Sequence, residues 1–243
     1  MTARIRIDRL LVERGLFESR AKAQAAIAAG LVTADDLPVT RPSAEISAAA
    51  VIRAEPAFPW VSRGGVKLAH ALDRLALDLP DRVGLDVGAA TGGFTEVLLK
   101  RGARRVYAVD VGRDQLHARL RGRPEVVSLE GTDIRALDPA GLDPRPDVVT
   151  IDVSFISLKL VLPAALALAA PRADLVALVK PQFEAGKRNL KKGIVREAAV
   201  HEAVCADFAA FVRSLGCEVT GQFPSPLAGS DGNREFFIGA RRG

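Results

Sequence analysis

The amino-acid sequence predicts a doubly wound, mostly parallel α/β sheet preceded by a small α+β module. Two observations carry that reading. From residue 82 onward, apolar runs of strand length alternate with stretches of helical pattern, as when helices cross between parallel strands. Before residue 56 the pattern differs, with two short helical segments followed by brief β-like pieces. A chain of 243 residues accommodates a small domain joined to a medium one. Its 49% hydrophobic and 26% charged content is that of a folded protein with a sizeable core.

The N-terminal elements follow from their punctuation. "IDRLLVERG" (7–15) puts Ile7, Leu10 and Leu11 on one helical face, and Gly15 ends it. Ser19 is the expected N-cap of "RAKAQAAIAAG", which stops at Gly30. "LVTADDLPVT" (31–40) and "AVIRAE" (50–55) supply strands. "PAFPW" (56–60), with two prolines and two aromatics, reads as a stiff connector. The expected organisation is a module over 1–55, a linker over 56–61 and a larger domain over 62–243.

In the larger domain the strands are "RVGLDVG" (82–88), "RRVYAVDVG" (104–112), "EVVSLEG" (125–131), "DVVTIDVS" (147–154) and "DLVALVKP" (174–181). Helical stretches lie between most of them, "GGFTEVLLKRG" (92–102) and "ISLKLVLPAALALAA" (156–170) among them. A helix over about 197–215 precedes two more strands, "CEVTGQF" and "REFFIGARR".

Composition excludes several classes. The net charge of +5 is a modest basic excess, compatible with a polyanionic partner without requiring one. The two cysteines form no CxxC pair and the three histidines are scattered, so no metal site is expected. "MTARIRIDRLLVERG" is charged from its start, unlike a signal peptide, and "LVLPAALALAAP" is too short to span a bilayer. A soluble, cytoplasmic protein with no membrane partner is expected.

Ligands of open parallel sheets bind beyond the carboxyl ends of the strands. Those ends carry Asp86 and Gly88, Asp110, Asp133, Asp152 and Lys180, with Pro181 stopping the last strand. Four carboxylates and an ammonium on one rim exceed what solvated strand ends need. In "LDVGAATGGFTE", Gly88 permits a tight turn and Gly92–Gly93 permit close approach before the next helix. There is no GxGxxG, so no pyrophosphate cradle. Asp110 is placed to accept from ribose hydroxyls and Asp133 from an adenine amino group. A ribose and an adenine without a phosphate fit S-adenosylmethionine better than NAD.

The motifs "LDVGAATGGFTEVLLKRGA", "VDVG", "IDVSFISL", "LVKPQFEAGK", "SRGGVKL" and "GNREFF" resemble the TlyA group (so-called hemolysin A) of ribosomal RNA 2′-O-methyltransferases. That group shares its catalytic domain with the FtsJ-type RNA ribose methyltransferases. The N-terminal segment resembles an S4 RNA-binding domain through "RIDRLLVERGL" and "SRAKAQAAIAAGLV". Asp35–Asp36 stand where such domains commonly have an Asn-Gly turn, and Ala90 where many relatives have serine. The resemblance implies a Rossmann-like class I methyltransferase sheet. It also implies S-adenosylmethionine as cofactor, held by Asp86, Gly88, Ala89, Thr91, Gly92, Gly93, Phe94, Asp110, Val111, Asp133, Ile134 and Asp152.

The resemblance further implies a catalytic tetrad of Lys67, Asp152, Lys180 and Glu235. A ribose 2′-hydroxyl is protonated at neutral pH, whereas a sulfonium methyl is already activated, so the enzyme must align the two and accept a proton. Lys180 is the expected base, oriented by Asp152, with Lys67 and Glu235 holding the ribose and the lysine head. A lysine does this when burial or a second cation favours its neutral form. Phosphate contacts are expected from Arg4, Arg6, Arg20 and Lys22 and from Lys187 and Arg188 in "GKRNLKKG". Phe155 is open between base stacking and a core position. By resemblance the target is a cytidine of the large-subunit RNA, with the small-subunit RNA as a second candidate. The partner is ribosomal RNA or a ribosomal subunit, and the chain is expected as a monomer or weak dimer. The competing classes are a non-catalytic assembly factor, a membrane-lytic protein and a small-molecule methyltransferase. The intact tetrad speaks against the first, the lack of an inserting segment against the second, and the S4-like module against the third.

Overall fold

A computed structural model describes residues 3–243, apart from the side chain of Lys187. The chain forms two compact units that divide between Pro59 and Trp60.

The first unit contains β1 (Arg4–Arg6), α1 (Ile7–Glu13), α2 (Arg20–Ala28), β2 (Val32–Ala34), β3 (Leu37–Pro38), β4 (Glu45–Ser47) and β5 (Ile52–Ala54). Ser19 caps α2 by accepting from Lys22 N at 3.3 Å, and Gly15 and Gly30 take the left-handed conformation after the two helices. Ile7, Leu11, Phe17, Ile27 and Val32 pack as its core. The β2–β3 hairpin closes through Asp35 and Asp36, both at positive φ (51° and 62°), the conformation that Asn-Gly would adopt more readily. Asp35 Oδ1 compensates by accepting from Val51 N at 2.8 Å. Sequence reading missed β1 and β4, which pair antiparallel, because three residues are too few to show alternation.

The second unit contains α3 (Arg63–Leu75), β6 (Val83–Val87), α4 (Gly93–Lys100), β7 (Arg105–Asp110), β8 (Val126–Glu130), β9 (Val148–Ile151), α5 (Leu158–Leu168), β10 (Ala173–Val179), α6 (Pro181–Glu184), α7 (Ala198–Ser214), β11 (Cys217–Pro224) and β12 (Phe236–Arg242). Its seven strands run in the order β11-β12-β10-β9-β6-β7-β8. The five from β6 to β10 are parallel, and the β11–β12 hairpin adds antiparallel strands at one edge. Alternation along β10 shows the two-faced burial: Leu175, Ala177 and Val179 face α5 and α7, while Val176 and Leu178 face α3 and α4. Trp60 and Val61, read as linker, pack into this unit, with Lys100 Nζ 5.1 Å from the Trp60 ring and Val61 N donating to Glu96.

The strand order reverses between β6 and β9, which places the ligand crevice beyond their carboxyl ends. The two strands approach closely there. Gly88 has φ +84°, and a Cβ on it would lie 2.3 Å from the Asp152 carbonyl oxygen.

Candidate active site

Two cavities open side by side on this rim. The first, about 380 Å³, is lined by Gly88, Ala90, Asp110, Val111, Asp133, Ile134 and Asp152, with Gln115 at its side. The second, about 480 Å³, is lined by Lys180, Gln182, Phe183, Lys192, Asp231 and Glu235 among others. Ser154 and Phe155 border both. The Lys180 ammonium lies 2.6 Å from Asp152 Oδ1 and donates to Ser154 Oγ at 2.9 Å, so one ion pair bridges the two spaces. That approach is off the direction of a hydrogen bond, which leaves Asp152 Oδ1 buried with electrostatic company but no directed donor among the described residues.

Glu235 reaches this rim through strand register. β12 runs against β10 and pairs Val179 with Phe236, so the residue before β12 arrives beside the residue after β10. Lys67, on α3, completes the group by donating to Glu235 Oε2 at 2.5 Å. Both members of that pair are buried, at 8% and 4% exposure. Burial pushes the Glu235 carboxyl up, against the opposing pull of the Lys67 and Lys180 ammonium groups. The four residues of the expected tetrad form two ion pairs, Lys67 with Glu235 and Lys180 with Asp152, and Lys180 and Glu235 line the same cavity.

The residues expected to hold the cofactor divide into two sets. Gly88, Asp110, Val111, Asp133, Ile134 and Asp152 line the first cavity. Asp110 is held ready, its Oδ2 accepting from Ala90 N at 2.8 Å and its Oδ1 from Gly112 N at 2.7 Å. Asp133 is taken up by Arg135, whose backbone and guanidinium both donate to it and hold its carboxyl at about 2. Val111 is 73% exposed at the cavity mouth, an apolar surface suited to a purine face. The second set lies behind the wall. Phe94 packs beside Phe237 in the core, Gly92 lies against Leu116 and Leu120, and Gly93 meets Ser62. Ala89 and Thr91 serve the loop backbone through bonds to Val109, Gly92 and His117.

Asp86 is corrected most: it is wholly buried under α4 and accepts from Thr95 Oγ1 at 2.6 Å and Thr150 Oγ1 at 3.4 Å. Burial pushes its carboxyl up to about 7, Asp152 adds to the rise, and the threonine donors oppose it. The sign follows from linkage. The fold holds this proton up to about 7 while the unfolded chain releases it near 4, so stability falls as pH rises across that window. Asp86→Asn is expected to remove this loss, gaining about 3 kcal/mol on wild type between pH 5 and pH 8. Thermal melts of both proteins across that range test it, and a constant difference would show that Asp86 titrates in its ordinary range.

Other expectations are redistributed. Arg6 and Arg20 converge on Asp8, which is fully buried and also accepts from Gln24. Arg6, against the opposing effect of burial, and then Arg20 and Gln24 hold the Asp8 carboxyl well below the usual range. Lys22 pairs with Glu18, and Arg4 donates to Glu45 O at 2.6 Å. Arg188 is exposed in the turn Lys187–Asn189, and the Lys187 side chain lies outside the described residues. Phe155 is not core: it is 91% exposed at φ +64°, with its ring 5.1 Å from Phe183. Sequence reading did not single out Ser154, Gln182 or Asn233. Asn233 is buried and ties Val195 N, Gly193 O and Asp231 together, which anchors the basic loop at the site. Its signal was present in "GNREFF", but nothing in the spacing said what the amide would hold. Cys205 and Cys217 are buried free thiols, and no cluster of metal-ligating side chains occurs among the described residues. No described helix is long and apolar enough to cross a membrane.

A sheet of this order, with the crevice at its strand reversal and a hairpin on one edge, is the architecture of the S-adenosylmethionine-dependent methyltransferases. Residues 60–242 match the FtsJ-like methyltransferase family and residues 5–52 match the S4 domain. The chain belongs to the TlyA family of ribosomal RNA methyltransferases, which joins those two domains. It is 44% identical to the 16S/23S rRNA (cytidine-2′-O)-methyltransferase TlyA of Mycobacterium tuberculosis, over 99% of this chain and 91% of that one. Hemolysin A of Brachyspira hyodysenteriae is 35% identical, over 96% of this chain and 98% of its own. A solved structure of a candidate hemolysin from Streptococcus thermophilus superposes with a TM-score of 0.78 at 40% identity, covering 100% of this chain and 90% of that chain.

Proposed function

We propose that this protein methylates the 2′-hydroxyl of a cytidine ribose in ribosomal RNA, in the large subunit and, as a second substrate, the small. The observation that carries the reading is the Lys180–Asp152 ion pair at the junction of the two cavities. The relatives' names supply the nucleotide and the subunits. The first cavity suits a nucleoside, with an acidic residue at the end of β7, an exposed valine directly after it and a close-approach glycine after β6. Asp110 would take the ribose, Val111 and Ile134 the adenine, and Gly88 and Asp152 the methionine end.

When bound, the cofactor supplies a sulfonium-activated methyl group. Lys180, once its ammonium has given up one proton to solvent, is a neutral amine and accepts the proton that the ribose hydroxyl sheds as its oxygen gains that methyl. Asp152 and Ser154 aim the Lys180 amino group, and the Lys67–Glu235 pair closes the wall behind it. Phe155, held outward by its backbone, offers a stacking face to the target base. The S4-like module, which precedes the division at Pro59–Trp60, contributes phosphate contacts, with Arg6 and Arg20 both held by Asp8. Those contacts set affinity and position rather than base choice. We place the protein in the cytoplasm, with ribosomal subunits as its partner, as a monomer or weak dimer.

Transfer of labelled methyl groups to unmethylated ribosomal subunits, with the modified nucleotide mapped, tests the proposal. A single 2′-O-methylated cytidine is expected in each subunit that serves as substrate. Tight binding of cofactor and RNA without transfer to either subunit would replace it with the assembly-factor reading.

A further inference from the structure

The second cavity contains an arrangement that the proton transfer does not use. Gln182 on α6 lines it, and its Nε2 donates to Asp231 Oδ2 at 3.2 Å. The other end of that amide, Oε1, is closed off from solvent and accepts no hydrogen bond from the described residues. Buried carbonyl oxygens are nearly always partnered, so an orphan beside a substrate-sized cavity calls for a donor that arrives with a ligand.

Asp231 determines which way round the amide sits. Its Oδ1 accepts from Asn233 N at 3.0 Å and its Oδ2 from Asn233 Nδ2 at 2.8 Å, so the carboxylate is fastened by a residue that is itself fully buried. Turning the Gln182 amide over would set Oε1 against that carboxylate, acceptor facing acceptor, and lose the Nε2 bond. The terminal torsion of a glutamine is otherwise soft, so a small rotation presents Oε1 to the cavity while the sense of the amide is kept.

We infer that Gln182 reads the pairing edge of the target base: Oε1 accepts from the exocyclic amino group of cytosine, and Asp231 is the positioning residue that locks the amide in that sense. This rests on the ribose-methylation reading above and adds to it the residue that chooses the base. Cytosine presents an amino donor at the position where uracil presents a carbonyl acceptor. A uracil entering the same cavity meets an acceptor with an acceptor, and the amide cannot invert to accommodate it. The Phe155–Phe183 ring pair on the same cavity supplies an apolar face without distinguishing the two pyrimidines.

The test compares methyl transfer to unmethylated subunits carrying cytidine or uridine at the mapped nucleotide, read as the ratio of kcat/KM values. Wild type is expected to favour cytidine at least tenfold, and Gln182→Ala to lower that ratio by about tenfold to a hundredfold. Asp231→Asn, nearly isosteric, frees the amide to invert and is expected to raise transfer to uridine, with cofactor affinity checking that each variant is folded. An unchanged cytidine-to-uridine ratio in both variants, or a wild type that uses the two equally, overturns the inference and leaves ribose methylation standing. No transfer to either substrate by wild type is a different result, and it removes the reading on which the inference is built.

Discussion

Lys180→Ala is expected to lower kcat for methyl transfer about 10³-fold while leaving cofactor binding close to wild type. Among the described residues the group removed is the only ammonium that touches Asp152, and it borders the second cavity rather than the first. General-base assistance by a positioned side chain is worth about 10²- to 10⁴-fold, which sets the scale. Lys180→Arg separates proton acceptance from mere positive charge. A guanidinium keeps the ion pair with Asp152 but does not give up its proton in proteins, so it is expected to be nearly as inactive as alanine. Single-turnover transfer with saturating cofactor measures the chemical step. An arginine variant within tenfold of wild type would assign Lys180 an electrostatic role and send the proton elsewhere.

Glu235→Ala is expected to cost about 3–5 kcal/mol of stability in urea unfolding. It strands the Lys67 ammonium, only 8% exposed on α3, without its counter-ion. The reverse deletion costs less. In Lys67→Met the remaining Glu235 can neutralise itself by keeping a proton, a state toward which burial already pushes it. A carboxyl raised in this way destabilises the fold as pH increases, so the Lys67→Met protein should weaken toward alkaline pH. Lys67→Met combined with Glu235→Leu should recover much of the single-mutant loss, because a buried pair replaced by apolar groups is often neutral or better. Strictly additive losses in the double variant would mean that the two side chains do not act as a pair.

The parallel strands were legible because a strand covered on both faces reads as an unbroken run of valine, isoleucine and leucine, as in "DLVALVK" and "DVVTID". Asp152 and Lys180 were legible for the same reason, since a charge that ends such a run marks where the strand leaves the sheet. Asp86 also ends a run, yet its side chain turns under α4 to Thr95. Strand alternation specifies that a residue faces one side of the sheet, but not whether that side is open crevice or covered helix. The left-handed backbone that exposes Phe155, and the capture of Asp133 by Arg135, depend on neighbours that no periodicity reports.

By itself the sequence determined the class of fold, the position of the glycine loop and which strand ends carry charge, because burial and chain turning act on local residue types. The tertiary structure alone decided that Glu235 meets Lys67, which lies far from it in the chain, and stands beside Lys180. That meeting depends on β12 running antiparallel to β10, so that a strand's beginning rather than its end lies on the rim that carries Lys180. Strand direction within a sheet is a property of the assembled layers, and a run of apolar residues reads the same whichever way it points.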